Sequence, residues 1–445
     1  MHPRELANSI CDTLQQNGYQ AYLVGGCVRD LLLGREPADY DVATDAVPEQ
    51  VLRMFPESLK VGAEFGVVLV TQNGHKVEVA TFRRDVGYSD GRHPDEVVFT
   101  TTIQQDVSRR DFTINGLAMR HDNGEVLDYV GGRDDLQAHL IRAIGNPELR
   151  FTEDKLRMLR AVRFAARFGY TIEPNTLAAI QKHAREIHAV SAERIHEELS
   201  KLLTEGAARR GFELLDESGL LPQLLPEVSD LKGVPQPPEF HPEGDVWIHT
   251  RLMLEKLPRD APRTLAWGVL LHDVGKPPTF RPASVTGDRI RFDDHVDVGV
   301  HITEEIAKRL KFSNYDAEQI EALVANHMKF KDVAQMRQST LKRFVRQPRF
   351  DEHLELHRLD CLASHGNLDA YYMVQDFLSH TPPAQVRPTR LLTGDDLNEM
   401  GYAPGPDYKT ILGALEDAQL EGFLSTKPEA EAFVRTNYPP RKVGR

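Results

Sequence analysis

The sequence predicts an α+β head followed by helices, and three observations carry that reading. Val67-Val68-Leu69-Val70 and His75 to Phe82 read as strands on either side of Asn73-Gly74, a dipeptide suited to a tight hairpin. From about residue 146 the apolar residues shift to helical spacing, as at Leu156, Leu159, Val162, Phe164 and Ala165. Pro235-Gln236-Pro237-Pro238 then reads as a linker, followed by a mostly helical segment rich in histidine. Pro382-Pro383 opens a helical tail.

These breaks divide the 445 residues into four segments: 1–145, 146–235, 236–380 and 381–445. At 40% hydrophobic the chain can bury a sizeable core. The three scattered cysteines, Cys11, Cys27 and Cys361, argue against a disulfide framework and for a reducing compartment. Residues Met1 to Asn8 lack the apolar core of a signal peptide, and no run of about 18 apolar residues suggests a membrane span. A cytoplasmic enzyme is the expectation. The net charge of −13 sets an acidic body against basic stretches at Arg109-Arg110, Arg157 to Arg167, Lys342 to Arg349 and Arg435 to Arg445. Phosphate contacts need local positive charge, so these stretches are candidate nucleic-acid strips.

In the head, Leu23-Val24-Gly25-Gly26-Cys27-Val28-Arg29-Asp30 is followed by Asp39-Tyr40-Asp41. On a strand, Asp39 and Asp41 would point to one face and offer hard oxygen ligands to Mg²⁺. Gly26 and its neighbour allow backbone N–H groups close to a phosphate, which Arg29 can neutralise. Glu78, between Val77 and Val79, would turn away from those valines and can supply a third carboxylate. A glycine pair alone is usually a turn, and Asp-x-Asp alone a solvated loop. The longer string, Gly-Gly-x-Val-Arg-Asp-x-Leu-Leu-Gly and then Asp-x-Asp-x-x-Thr ending at Thr44, resembles motif A of the class II tRNA nucleotidyltransferase and bacterial poly(A) polymerase family. That resemblance implies a polymerase-beta-like nucleotidyltransferase head, an all-helical neck, divalent-metal catalysis, and tRNA, CTP and ATP as partners.

Further motifs extend the likeness. Arg109-Arg110-Asp111-Phe112-Thr113-Ile114-Asn115 is similar to motif B. There Arg110 can pair with triphosphate or ribose oxygens, and Asp111 and Asn115 with a ribose hydroxyl. Gly116 stands where the family usually has alanine and would loosen a helix by about 1 kcal/mol. The run from Phe82-Arg83 through Asp85, Tyr88, Asp90 and Arg92-His93-Pro94 resembles the flexible loop kept by CCA-adding and A-adding members and missing from CC-adding ones. Glu153-Asp154-Lys155-Leu156-Arg157 resembles motif D. With Thr152 as N-cap, Asp154 and Arg157 would share a helix face. One acceptor beside one donor matches the edges of C and A and mismatches U and G, a discrimination of about 1–3 kcal/mol per bidentate pair. Arg160 and Arg163 continue the i, i+3 series toward a triphosphate. Ser191-x-Glu193-Arg194-Ile195 resembles motif E, a support for the templating helix.

His249, His272-Asp273 and Asp360 follow the H…HD…D order of metal-dependent HD phosphohydrolases. Imidazole and carboxylate ligands suit a second divalent transition metal. His295 and His327 are spaced as ligands of a further ion. His241-Pro242-Glu243-x-Asp245-x-x-x-His249-Thr250 resembles the HD domain fused to bacterial CCA-adding enzymes, which implies hydrolysis of phosphate monoesters or 2′,3′-cyclic phosphodiesters. The tail, Leu392-Thr393-Gly394-x-Asp396-Leu397 through Gly401-x-x-Pro404-Gly405-Pro406, resembles the family's RNA-holding C-terminal region. The expectation is template-independent CCA addition to tRNA 3′ ends with release of pyrophosphate, alongside an HD activity. An A-adding enzyme or poly(A) polymerase is the same-class alternative. Val61-Gly62-Ala63-Glu64-Phe65-Gly66-Val67 lacks the Arg-rich variant associated with poly(A) polymerases. An HD hydrolase with an inactive RNA-binding head is the alternative from another class.

Overall fold

The computed structural model describes residues 2–60, 66–87 and 96–439. It divides the chain into two units. The first runs to Asp230 and includes Leu257–Ala261 and Ile306–Phe312; the second holds Leu231–Lys256, Pro262–Glu305 and the chain from Ser313.

In the first unit, strands and short helices alternate: β1 (Ala21–Val24), β2 (Asp41–Thr44), β3 (Leu59–Lys60), β4 (Val67–Gln72), β5 (His75–Thr81), β6 (Arg83–Val86), β7 (Glu96–Phe99), β8 (Leu117–Met119) and β9 (Val126–Asp128), then a short parallel pair, β10 (Leu140–Ile141) with β11 (Thr171–Ile172), so the neck is not all-helical. Seven form one sheet in the order β3-β4-β5-β2-β1-β8-β9. The hairpin expected at Asn73-Gly74 joins β4 to β5. β2 runs antiparallel to β1 and parallel to β5, which sets Asp41 opposite Val24 on one side and Glu78 on the other. Val77 and Val79 are buried while Glu78 is exposed, as period-two alternation requires. Tyr22, Val24, Ala43, Phe82, Val107 and Ala118 pack beneath the sheet.

The helix at Leu156–Phe168 buries Leu156, Leu159, Val162, Phe164 and Ala165, confirming the helical spacing. Its start differs from expectation. Thr152 lies inside a preceding helix, Pro147–Glu153, which Asn146 caps. Asp154 is extended, at φ −146° and ψ 105°, between the two helices. Asp154 and Arg157 therefore do not share a helix face; Asn146 followed by Pro147 is the stronger start signal. Gly116 also departs from expectation. It ends a single 3₁₀ turn, Thr113–Asn115, instead of lying within a helix. A Cβ there would meet Val130 Cγ2 at 2.8 Å and Ile144 Cδ1 at 2.9 Å.

The second unit is helical apart from a two-stranded antiparallel ribbon, Phe280–Arg281 with Arg291–Phe292. The Pro235–Pro238 run is not a free linker: Gln236 is buried and accepts a hydrogen bond from Lys276 Nζ at 2.6 Å. Lys342 to Arg349 is not an open basic strip either. Lys342 is buried on Leu420 O, and Arg343 and Arg346 pair with Glu416. The helical tail forms its own core around Leu397, Ile411, Leu415, Leu424 and Val434, and Thr393 caps the Gly394–Glu399 helix with Asp396 in a capping box. Residues 61–65, 88–95 and 440–445, which carry part of the poly(A)-discriminating segment, the flexible loop and the terminal basic run, lie outside the described residues.

Two candidate active sites

The first site is a cleft of about 440 Å³ in the first unit, lined by seven arginines and three aspartates, an excess of positive charge suited to a triphosphate. Asp41, at the start of β2, lies beside Glu78 through the sheet register. Burial lifts the Asp41 carboxyl to about 6; Arg110 pulls it down, while Glu78 and Asp39 push it further up. Crowded, partly desolvated carboxylates are an arrangement that a bound cation relieves, so the donor set fits a divalent metal. Asp39 is not on the strand. It sits exposed in the bend before β2, so alternation does not aim it, although its charge reaches Asp41.

Gly25 has φ +76°, and a Cβ there would lie 2.8 Å from Arg110 Nη1 and 3.8 Å from Asp41 Oδ2. Only glycine meets both demands. Arg110 is braced by Asp106 at 3.2 Å, and the same buried carboxylate holds Arg109 at 2.8 Å. Arg29 is less available than its position suggests. It is buried, donates to Asp30 at 2.8 Å and Asn115 Oδ1 at 2.6 Å, and sits over the Phe168 ring at 4.6 Å.

Asp111 accepts from Phe112 N at 2.8 Å, Asn115 Nδ2 at 3.1 Å and Arg160 Nη2 at 2.8 Å. Burial works against its charge, but Arg160 and these hydrogen bonds hold its pKa below the ordinary range. Arg163 departs from the triphosphate expectation. It is buried, with its guanidinium occupied by Glu198 at 2.6 Å and Glu205 at 3.0 Å. Asp154 and Arg157, though not on one helix face, line the same cleft. Asp154 Oδ1 accepts from Leu156 N at 3.1 Å and Oδ2 from Arg194 Nη2 at 2.8 Å. Arg157 donates to Arg109 O at 3.2 Å and pairs with Glu153.

The second site lies in the second unit. His249, His272 and Asp360 present ligand atoms within 4.8 Å of one another, and so do Asp273, His295 and His327. Each imidazole uses Nδ1 on a protein oxygen: Glu243 Oε1 for His249, and carbonyls of Val269, Phe292 and Val324 for His272, His295 and His327. Each Nε2 is buried with no hydrogen-bond partner. Four such nitrogens converge on two carboxylates, with Nε2 of His249 3.2 Å from Asp360 and that of His272 3.1 Å from Asp273, a donor set that fits a bound cation. Burial disfavours a protonated His249, but Asp360 and Glu243 outweigh it and raise its pKa to about 9; burial drives His327 down to about 4. Burial also acts against the Asp273 charge, which His272 and Lys276 nevertheless hold well below the usual range.

Gly275 makes this convergence possible. A Cβ there would lie 2.0 Å from His295 O and 2.6 Å from Gly299 N, so a side chain would force the His295 helix away from the His272-Asp273 pair. A cavity of about 840 Å³ adjoins the ligands, with Lys276, Arg289, Arg291 and Lys331 among its cations and Phe240 and Phe292 among its apolar walls.

Residue spacing gave no warning of the carboxylates at Glu198 and Glu205, which order the arginine row from another helix and its end. Phe164 and Phe168 were also missed as functional parts; Arg163 lies 4.4 Å from the Phe164 ring centroid. The i, i+4 repeat of Arg163 and Arg167, each followed by a phenylalanine, was the available signal.

The chain matches the Poly A polymerase head domain over residues 21–142, the probable RNA and SrmB-binding site of polymerase A over 169–232, and the HD domain over 245–357. It is 33% identical over 440 residues to a CCA-adding enzyme of Levilactobacillus brevis, covering 97% of each chain. The crystal structure of the Bacillus stearothermophilus CCA-adding enzyme in complex with CTP superposes with a TM-score of 0.76 at 28% identity, covering 98% of each chain. The Thermotoga maritima CCA-adding enzyme complexed with tRNA shares the fold at a TM-score of 0.58 and 20% identity, over 97% of this chain and 94% of that one.

Proposed function

The chain belongs to the CCA-adding enzyme family, and from that premise we propose how its two sites divide the work. It is a CCA tRNA nucleotidyltransferase that uses CTP and ATP, and the family implies dependence on a divalent metal. The observation that carries the assignment of residues is the single cleft joining Asp41, Asp111, Asp154 and Arg157. Asp41, with Asp39 and Glu78 close by, would hold Mg²⁺. That ion supplies charge neutralisation at the α-phosphate and a lowered pKa for the attacking tRNA 3′-hydroxyl.

The remaining work falls to side chains. Arg110, braced by Asp106, offers positive charge to the triphosphate; Arg160 adds to the field while anchoring Asp111. Arg29 and Arg163 act mainly as scaffold. Asp111 and Asn115 receive the ribose, Asp154 accepts from the base amino group, and Arg157 donates to the ring nitrogen. Attack on the α-phosphorus then releases pyrophosphate. Residues 1–145 form the transferase head, 146–235 the templating neck, 236–380 the HD domain and 381–445 an RNA-holding tail. Among the described residues no helix is long and apolar enough to cross a membrane. The three buried free cysteines support a reducing, cytoplasmic setting.

For the second site we read a metal-dependent phosphohydrolase acting on phosphate monoesters or 2′,3′-cyclic phosphodiesters. His249, His272 and Asp360 would hold one transition metal, and Asp273, His295 and His327 a second. Lys276 and the arginines of the cavity would receive the phosphate.

Three tRNA transcripts test the first activity: one ending at the discriminator base, one a single C longer, and one two C longer. Incubated with Mg²⁺, CTP and ATP, all three should reach a complete CCA end. Extension of only the longest, by one A, would make this an A-adding enzyme.

A further inference from the structure

We propose that Glu243 is a positioning residue of the histidine site, holding His249 in the one tautomer and orientation in which Nε2 can bind a metal. This inference rests on the phosphohydrolase reading of that site. Glu243 Oε1 lies 2.7 Å from His249 Nδ1 and 2.9 Å from His241 Nδ1. The Glu243 side chain is only 7% exposed, and that of His249 is fully buried. An ionised carboxylate can only accept hydrogen bonds, so both Nδ1 atoms carry their protons toward it. The Nε2 of His249, 3.2 Å from Asp360 Oδ1, is then the nitrogen left to offer a lone pair once a metal displaces its proton. Imidazole basicity also rises when the opposite N–H faces a carboxylate.

Glu243 differs from the partners of the other three imidazoles. His272, His295 and His327 each turn Nδ1 to a backbone carbonyl within their own local helix or turn, three residues earlier. Their orientation follows from the backbone. His249 alone is oriented by a side chain, six residues earlier and outside its helix, Val246–Lys256. It is therefore the ligand whose geometry one substitution can release without unfolding the surrounding helices. His241 contacts the same oxygen from the wall of the substrate cavity, so it steadies the carboxylate but is not itself required for His249 to ligate.

The test titrates Co²⁺ into the full-length metal-free protein, reading affinity by calorimetry and coordination by visible absorption. Glu243→Ala should weaken binding about 10–100-fold and alter the absorption band. Glu243→Gln, which keeps an acceptor but not the charge, should fall between that variant and the parent. His241→Ala should bind Co²⁺ within a few-fold of the parent. Preserved CCA addition and an unshifted melting transition verify that each variant is folded. If both Glu243 variants bind Co²⁺ as the parent does while His272→Ala abolishes binding, the positioning role is wrong and the metal site stands. If the parent binds no more Co²⁺ than His272→Ala, the metal-site reading itself fails, and the role of Glu243 with it.

Discussion

Arg194 donates to Asp154 Oδ2 at 2.8 Å, so the carboxylate assigned to the base edge is held from the Ala192–Thr204 helix, while its partner Arg157 belongs to the Leu156–Phe168 helix. Two elements far apart in sequence thus set one hydrogen-bonding edge. An ion-paired carboxylate can only accept, which suits the amino groups of C and A and rejects the carbonyls of U and G.

Arg194→Ala should therefore change selectivity as well as rate. We expect kcat/KM for CTP and ATP to fall and discrimination against UTP to shrink by about 1–3 kcal/mol. Single-turnover incorporation of each nucleotide on the same tRNA measures both. Loss of rate with unaltered discrimination would make Arg194 a purely structural support.

Asp41→Asn should abolish CCA addition and stabilise the metal-free protein near neutral pH. The folded-state pKa of Asp41 is raised from 3.8 to about 6. Its ionised form therefore penalises folding above about 6, and the penalty is relieved as pH falls through 6 toward 4. Removing the charge should gain up to about 3 kcal/mol between pH 7 and 8 and almost nothing near pH 4. Denaturant unfolding with chelator present, at both ends of that window, checks the sign. The same titration predicts that metal affinity weakens progressively as pH falls through 6, where the cation must displace a proton from Asp41.

Gly25→Ala should displace Arg110 without removing any charged group. The methyl would sit 2.8 Å from Arg110 Nη1, at a backbone position of φ +76°. A cost to stability of about 1–3 kcal/mol follows from the backbone alone, since φ +76° with ψ −133° is a conformation that side chains rarely adopt. We also expect at least a tenfold fall in kcat/KM for CTP and ATP, read by steady-state kinetics on a CCA-lacking tRNA. Unchanged kinetics would remove Arg110 from the nucleotide site.

The two activities should separate cleanly. His272→Ala or Asp273→Ala is expected to abolish metal-dependent phosphatase and cyclic phosphodiesterase activity while leaving CCA addition intact. Asp41→Asn should do the reverse. Phosphohydrolysis that survives His272→Ala and Asp273→Ala would assign it to other residues.

Much of the chemistry was legible because it rests on local spacing. Gly25-Gly26, Asp41, Asp111, Asn115 and the His272-Asp273 pair are short-range patterns, and the hairpin at Asn73-Gly74 follows from period-two alternation and a turn dipeptide. Tertiary structure decided what those side chains are free to do. Sequence placed Arg29, Arg160 and Arg163 alike as phosphate partners, but Glu198 and Glu205, some forty residues on, occupy Arg163, and Asn115 occupies Arg29. It treated Asp154 as a helical residue, whereas the chain breaks there and Arg194 takes over its support. Pro235–Pro238 looked like a linker because proline marks irregular backbone, yet burial of Gln236 against Lys276 makes it part of a wall. Sequence alone determined which reactive groups the protein carries. Which of them face a cleft, and which are neutralised by a distant carboxylate, was decided by packing, because an ion pair depends on distance in space and not along the chain.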